Sequence, residues 1–206
     1  MKNKFKAIQL LNNLNKIKRT GPNLFAGIPD YMTESIAEHS YKVLYLCLIF
    51  SIRLKSINLC NLFVYIITHE WSETLTGDIP TSSKSYQSYF NTDIRKIFKD
   101  AGSRIRTEVL RDLGLKVNKL SLEEEKLFEF CEISSRILEL IDHKQLGCKH
   151  KWIDKMYFMQ INYLKEIKLN FTDEVVKELN NLYKRGYMDN EYLTKIADRL
   201  MKENKS

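Results

Sequence analysis

The sequence predicts an all-α fold, and three observations support this prediction. Only 7 glycines and 3 prolines occur among 206 residues, which is too few for the many tight turns of an all-β protein. Leu, Lys, Glu and Ile dominate the long stretches between them. Apolar side chains recur at helical spacing from the start of the chain, as in Phe5, Ile8, Leu11 and Leu14, and this periodicity is typical of amphipathic helices.

Periodic segments separated by turn residues place the individual helices. The candidates lie at residues 4–18, 33–54, 58–75, 94–98, 105–113, 121–140, 152–167 and 172–185, with a short helix near the C-terminus. We expect Gly21-Pro22 to end the first helix, because proline and glycine interrupt helical structure. Thr33 or Ser35 can cap the second. The string Ser-Leu-Glu-Glu from Ser121 has capping-box spacing and predicts a helix start.

The composition predicts a single domain and a reducing environment. A chain of 206 residues with 44% hydrophobic composition can bury one core, so residues 1–206 are predicted to form a single domain. The four cysteines have no CxxC spacing, which favours free thiols and a cytoplasmic setting. The N-terminus lacks the features of a signal peptide. The most apolar run, residues 43–52, is too short to span a bilayer, so we expect no membrane partner.

The positive charge has several interpretations. The formal net charge is +7, which is compatible with nucleic acid, an anionic small substrate or a lysine-rich surface. The lysines are scattered over nearly every predicted helix, and this pattern favours a solvated surface. Lys16, Lys18 and Arg19 form a local exception.

Polar residues interrupt two otherwise apolar helices. Glu38-His39 lies in the predicted helix at residues 33–54. His69-Glu70 lies in the predicted helix at residues 58–75, and Glu73 and a Thr-Gly-Asp turn ending at Asp78 follow it. Taken singly, each histidine is more simply a core residue, Glu73 a solvated acid and Asp78 a turn former. Together they are costly to bury without a function. Two imidazoles with carboxylates suit a divalent first-row metal, with open positions for water and a substrate oxygen.

The two strings also resemble a known family. Glu34-Ser-Ile-Ala-Glu-His39-Ser and His69-Glu-Trp-Ser-Glu-Thr-Leu-Thr-Gly-Asp78-Ile-Pro-Thr are similar to the HD-domain phosphohydrolases related to bacterial 5′-deoxynucleotidases. The resemblance covers about residues 8–140 and implies an HD-domain helical bundle, with residues 150–200 as a helical extension. It further implies a nucleotide substrate, a divalent metal such as Mn, Co, Mg or Zn, and a homodimer.

The resemblance implies the metal ligands residue by residue. His39 and His69 match the family's two histidines, and Glu70 stands where the family has the Asp of its His-Asp doublet. Glu132 stands where the family has a later Asp, with Glu129 as an alternative one turn away. Both acids are one methylene longer than in the family, so either the metal shifts or the backbone retreats by about a methylene, and the two replacements can compensate each other.

The same resemblance implies the remaining site residues. Glu73 matches an acid that positions water, and Asp78 matches an acid near the sugar and leaving group. Arg19 matches an Arg near the substrate phosphate, and Lys84 matches a second basic position. Trp71 is expected to pack in the core or in an interface rather than on a base.

The leading expectation is removal of the 5′-phosphate of a (deoxy)nucleoside monophosphate by metal-activated water. The segment Thr20-Gly21-Pro22 occupies the position where the deoxynucleotidases have a Trp, and Ala26 occupies a position where they have a further Arg. Because these two differences affect sugar and monophosphate specificity, a (deoxy)nucleoside triphosphate triphosphohydrolase is an alternative. Because of the two Asp-to-Glu differences, a second alternative is a catalytically silent scaffold that binds nucleotide or protein. Nucleic-acid binding ranks third.

Overall fold

The computed structural model describes residues 2–79 and 94–186, and within these ranges it shows the predicted all-α fold without a strand. The helices are α1 Lys2–Leu11, α2 Thr20–Ala26, α3 Ile36–Ser51, α4 Leu59–His69, α5 Glu73–Thr76, α6 Ile94–Leu113, α7 Leu122–Gln145, α8 Lys151–Glu166 and α9 Thr172–Arg185, with 3-10 turns at Asn12–Asn15 and Asp30–Met32. Among these described helices, none combines the length and apolarity needed to cross a bilayer.

Capping boxes start the two helices that carry the site. Ser35 accepts a hydrogen bond from the Glu38 backbone, and the Glu38 side chain accepts one from the Ser35 backbone at 2.6 Å. Ser121 and Glu124 make the same reciprocal pair at the start of α7. Each box satisfies two backbone donors that a helix start leaves free, so the start positions of α3 and α7 are well determined.

The helix boundaries differ from the sequence prediction in several places. The sequence predicts a first helix over residues 4–18, but α1 ends at Leu11 and a 3-10 turn follows at Asn12–Asn15, where asparagine side chains compete with the helical backbone hydrogen bonds. Gly21-Pro22 does not end a helix but lies in the first turn of α2, where proline is tolerated because its missing N–H needs no intrahelical partner. The helix α4 ends at His69, and Glu73 begins the separate α5, so the second string straddles a helix end. Residues 94–113 form one helix, α6, rather than two. The predicted C-terminal helix lies outside the described residues.

The long helix α7 is the centre of the molecule and packs against α3 and α8. Its buried face contributes Leu127, Phe130, Ile137 and Ile141, none of them measurably exposed. The thiols of Cys47 and Cys131 are buried in the same core, and all four cysteines are free. The polar residues of α7 therefore interrupt a helix whose buried face is otherwise apolar.

A smaller core cluster holds the two motif strings in place. Trp71 is buried against Leu14, Ile36 and Val109, which confirms its packing role. The backbone of Lys18 also pairs with that of Ser35 in an isolated antiparallel bridge. Trp71 adjoins the His69-Glu70 pair and Ile36 precedes His39 by one turn, so this cluster sets the separation of the two strings.

Candidate active site

The first half of the site lies between α3 and α7, and we call it the α3–α7 half: His39, Glu34, Glu132 and Ser135. His39 is fully buried, and its Nε2 lies 3.3 Å from both carboxylate oxygens of Glu132. Its Nδ1 lies 3.1 Å from Glu34 Oε1 and 3.1 Å from Ser135 Oγ. The imidazole is therefore oriented from both sides, as is usual for a histidine that binds a metal.

The electrostatics of this half favour a positive charge at its centre. Burial opposes the ionisation of Glu132, but the hydrogen bond with His39 and the charges of His39, His69 and Arg136 together outweigh burial and lower its pKa to about 2. Glu34 likewise has its pKa lowered to about 2, against burial, by His39 and Lys42. Burial and Arg19 lower the pKa of His39, yet its bonds to the two carboxylates raise it overall. A metal cation at Nε2 would displace the proton that these acids attract.

The second half lies at the end of α4 and the start of α5, and we call it the α4–α5 half: His69, Glu70 and Glu73. His69 Nε2 lies 3.7 Å from Glu70 Oε1, and the His69 ring packs edge-on against Phe128, with centroids 4.8 Å apart. Glu73 Oε2 is buried and has no hydrogen-bond partner among the described residues. Burial, and then the charges of Glu70 and Asp78, raise the pKa of Glu73 to about 9.

The two halves together form a set of donors that fits a divalent metal. Ligand atoms of His39, Glu70 and Glu132 all lie within 4.8 Å of one another. His69 lines the same cavity next to Glu70. Imidazole and carboxylate are suitable ligands for Zn, Mn, Co or Fe. The structure thus brings three of the four predicted ligands within coordinating range of one point and places the fourth beside them.

Arg19 approaches this cluster from the start of α2, and Asp78 from the segment that follows α5. The Arg19 Nε lies 3.7 Å from Glu139 Oε2 and makes no hydrogen bond within the described residues. Burial opposes the charge of Arg19, but four acids, Glu139, Glu34, Asp78 and Glu132, together outweigh burial and raise its pKa. Asp78 Oδ2 accepts hydrogen bonds from the backbone N–H and the hydroxyl of Thr20, at 2.6 and 3.1 Å. Asp78 therefore fixes the start of α2 directly beside Arg19.

A cavity of about 1180 Å³ connects these groups, and its lining includes Arg19, His69, Glu70, Glu73, Asp78 and Glu132. Glu129, the alternative to Glu132, also lines the cavity but is exposed, whereas Glu132 contacts His39. Lys84 lies outside the described residues, so its predicted role stays a prediction. Four of the six lining residues named here are carboxylic acids and one is an arginine, so a phosphorylated ligand would need a cation, such as a divalent metal, to bind among these acids.

Sequence reasoning missed four polar residues of the site: Glu34 as a partner of His39, and Ser135, Arg136 and Glu139 on α7. Arg136 and Glu139 line the cavity, and the Arg136 Nη2 lies 3.9 Å from Glu132 Oε2. A signal for the α7 residues was present in the sequence. They follow Glu132 by three, four and seven positions, which is one helical face of an otherwise apolar helix.

Comparisons with known proteins agree with this geometry. The model of the YfbR-like family, described as 5′-deoxynucleotidase YfbR-like, matches residues 6–143. No curated protein matches the chain. Among solved structures, the chain is similar to an HD-domain phosphohydrolase from Listeria innocua, with 21% identity, a TM-score of 0.64, and 93% of this chain and 96% of that chain covered.

Two further solved structures share the fold. A conserved hypothetical protein from Pyrococcus furiosus is 23% identical with a TM-score of 0.63, covering 86% of this chain and 99% of that chain. The cyanophage S-2L HD phosphohydrolase DatZ, solved with dA and one catalytic Zn2+ ion, is 18% identical with a TM-score of 0.59, covering 86% of this chain and 94% of that chain. With the family match over two thirds of the chain, the protein belongs to the YfbR-like 5′-deoxynucleotidase family and is an HD-domain nucleotide phosphohydrolase.

Proposed function

We propose that this protein removes the 5′-phosphate of (deoxy)nucleoside monophosphates with the help of a divalent metal. The observation that carries the proposal is the approach of the His39, Glu70 and Glu132 ligand atoms to within 4.8 Å of one another beside a cavity. His39, His69, Glu70 and Glu132 would hold the ion. When bound, a divalent metal lowers the pKa of coordinated water and offsets charge on phosphoryl oxygens.

Arg19 supplies the contact to the phosphate in this proposal. Its guanidinium is buried, and the Nε has no hydrogen-bond partner among the described residues. A planar guanidinium suits a phosphate dianion, because two parallel N–H groups can bind two oxygens. Glu139 and Glu34 keep it charged and orient it toward the cavity.

Glu73 and Asp78 supply the acids of the reaction. Glu73 lines the cavity beside Glu70, and its unpaired Oε2 is available to orient an attacking water. Asp78 lines the same cavity while Thr20 holds its Oδ2, which leaves Oδ1 to contact a sugar hydroxyl or the leaving oxygen. In-line attack by that water forms a new bond between its oxygen and phosphorus as the bond between phosphorus and the 5′-oxygen breaks; the water gives up a proton, and the 5′-oxygen takes up a proton to leave as the nucleoside hydroxyl.

The test is a hydrolysis assay on nucleoside mono-, di- and triphosphates with Mn2+, Co2+, Mg2+ and Zn2+, since the DatZ structure holds catalytic Zn2+. We expect inorganic phosphate from monophosphates, and no release of tripolyphosphate. Tripolyphosphate from triphosphates would show the alternative triphosphohydrolase instead. A protein that binds no metal and hydrolyses none of these nucleotides would be the silent scaffold.

Variants separate the chemistry from folding. His69→Ala should lose both metal and hydrolysis, whereas His150→Asn should retain both, because His150 only caps α8 and asparagine can replace that cap. Asp78→Asn preserves an oxygen for Thr20 but removes the charge. Loss of turnover in Asp78→Asn with an unchanged melting temperature would assign Asp78 to the reaction, and full activity would limit it to the contact with Thr20.

A further inference from the structure

One wall of the cavity takes no part in the chemistry proposed above. It is a single face of α8, and we call it the α8 wall: Trp152, Met156, Met159, Gln160 and Tyr163. These residues follow the helical spacing that places side chains on the same side. The family match ends at residue 143, before α8 begins, so this wall is a feature of the chain outside the matched region.

Gln160 is the polar group of the α8 wall that needs a partner. It is 6% exposed, and its Oε1 accepts no hydrogen bond from any described residue. An amide oxygen that is buried without a donor costs free energy. Because Gln160 lines the cavity, the donor that is missing from the described residues can come from a ligand there.

Aromatic and thioether side chains surround Gln160 on the same wall. The Trp152 ring stacks on Phe25 of α2, with centroids 5.7 Å apart and an angle of 19° between the planes. Phe25 and Thr20 both belong to α2, and Thr20 binds Asp78. The short helix α2 therefore connects the stacked Trp152–Phe25 pair with Asp78, one of the acids assigned to the reaction. Flat rings and methionine sulfur favour contact with a planar, polarisable ligand.

We propose that the α8 wall is a nucleobase subsite, in which Gln160 Oε1 accepts a hydrogen bond from a base N–H and Trp152 packs against the base. A carboxamide presents an acceptor beside a donor, which complements the edge of a nucleobase, where an N–H adjoins a carbonyl or ring nitrogen. Stacking on aromatic rings tolerates every base, whereas the amide selects for an N–H. This inference deepens the proposed function and rests on its nucleotide substrate.

Thymidine and N3-methylthymidine provide a direct test. The base of thymidine has a single N–H, at N3, and the base of N3-methylthymidine has none. Tryptophan fluorescence reports binding without turnover. The chain has 2 tryptophans, and Trp71 is buried in the small core cluster, so quenching by the nucleoside should come from Trp152. Trp152→Phe should abolish the quenching and leave the melting temperature unchanged.

Gln160→Met preserves the side-chain volume but removes the amide, and Gln145→Met is the matched control at an exposed position. In the unmodified protein we expect thymidine to bind about three- to tenfold more tightly than N3-methylthymidine, the range of one net hydrogen bond. Gln160→Met should remove that difference, and Gln145→Met should retain it. A difference that persists in Gln160→Met would overturn the assignment of Gln160, as would equal binding of both nucleosides to the unmodified protein.

Hydrolysis distinguishes this inference from the proposed function. Deoxyribose 5-phosphate carries the phosphate and no base, so Gln160→Met should lower kcat/KM for thymidine monophosphate about three- to tenfold and leave kcat/KM for deoxyribose 5-phosphate unchanged. Phosphate release without any nucleoside binding would overturn the subsite and retain the phosphohydrolase. Nucleoside binding without phosphate release under any metal would do the reverse.

Discussion

The two halves of the candidate metal centre are built differently. In the α3–α7 half, His39 is fully buried and oriented by Glu34, Glu132 and Ser135 at 3.1–3.3 Å. In the α4–α5 half, the His69 side chain is 34% exposed, and Glu73 has a buried oxygen without a partner. The first half combines opposite charges, whereas the second gathers acids next to one another.

This difference indicates which half depends on a cation. In the α3–α7 half each buried charge has a partner of opposite sign, so removing one partner leaves another charge buried and unpaired and destabilises the fold. Burial, and after it the charges of Glu70 and Asp78, raise the pKa of Glu73 in the α4–α5 half to about 9, although Arg19 acts to lower it, so the acids around Glu73 outweigh the positive charge near it. We therefore expect the first half to support the fold and the second half to gain most from metal.

The largest expected effect is on turnover. His69→Ala should reduce metal-dependent hydrolysis more than about 100-fold, since even residues that only orient a ligand affect metal affinity 10–100-fold. Its melting temperature without metal should change little, because His69 is partly exposed. Steady-state kinetics and metal analysis check this. Activity above one tenth of the unmodified protein would remove His69 from the ligand set.

The second effect is on stability. His39→Ala should also abolish hydrolysis, and in addition it should lower the free energy of unfolding by about 3 kcal/mol, because the Glu34 and Glu132 carboxylates lose their buried partner. Urea denaturation of metal-free His39→Ala and His69→Ala side by side measures the contrast. Equal stability of the two variants would contradict the division of the site into a structural and a metal-dependent half.

A third, smaller effect is on metal affinity. Ser135→Ala removes the hydroxyl that lies 3.1 Å from His39 Nδ1 and should weaken metal binding about tenfold. Ser134→Ala is the matched control, because Ser134 is also buried but its hydroxyl has no partner among the described residues. Titration of the metal-free proteins with Zn2+ or Mn2+ compares them. Equal affinities would mean that the Ser135 hydroxyl does not help to orient His39.

The fourth effect is a pH dependence of the stability of the metal-free protein. Glu73 binds its proton more tightly in the folded chain, so between its ordinary pKa of 4.5 and about 9 its contribution lowers the free energy of unfolding as pH rises. Glu73→Gln should reduce that slope, and the exposed Glu108→Gln should not. Thermal unfolding in the presence of a chelator, from pH 5 to 9, measures both. A slope unchanged in Glu73→Gln would place the raised pKa elsewhere.

Much of this architecture could be predicted from local signals. The capping pair Ser121 and Glu124 marked the start of α7, and the periodic apolar residues marked its buried face. Glu132 was placed near the histidines by resemblance, and the structure puts it 3.3 Å from His39. The capping pair and the periodicity depend on residues a few positions apart, which is the range over which a sequence pattern carries information. The position of Glu132, 93 residues after His39, came from the resemblance instead.

Other features depend on contacts between distant segments and left no local signal. Asp78 looked like a turn residue or a catalytic acid, and its hydrogen bonds to Thr20 became visible only when residues 58 positions apart were brought together. The end of α4 at His69 was missed because Glu73 continues the helical spacing. No local sequence pattern distinguishes Gln160, because its significance depends on the missing hydrogen-bond partner of its buried Oε1 in the folded chain.

The position of α8 also bears on how such an enzyme could diversify. A turn through Gly147, with a φ of 93°, separates α7 from α8, and the acids and histidines of the metal centre all precede that turn. Substitutions on the α8 wall can therefore accumulate without touching the groups that act on phosphate. A library restricted to its five residues would be a compact starting point for redirecting the enzyme to new nucleotides.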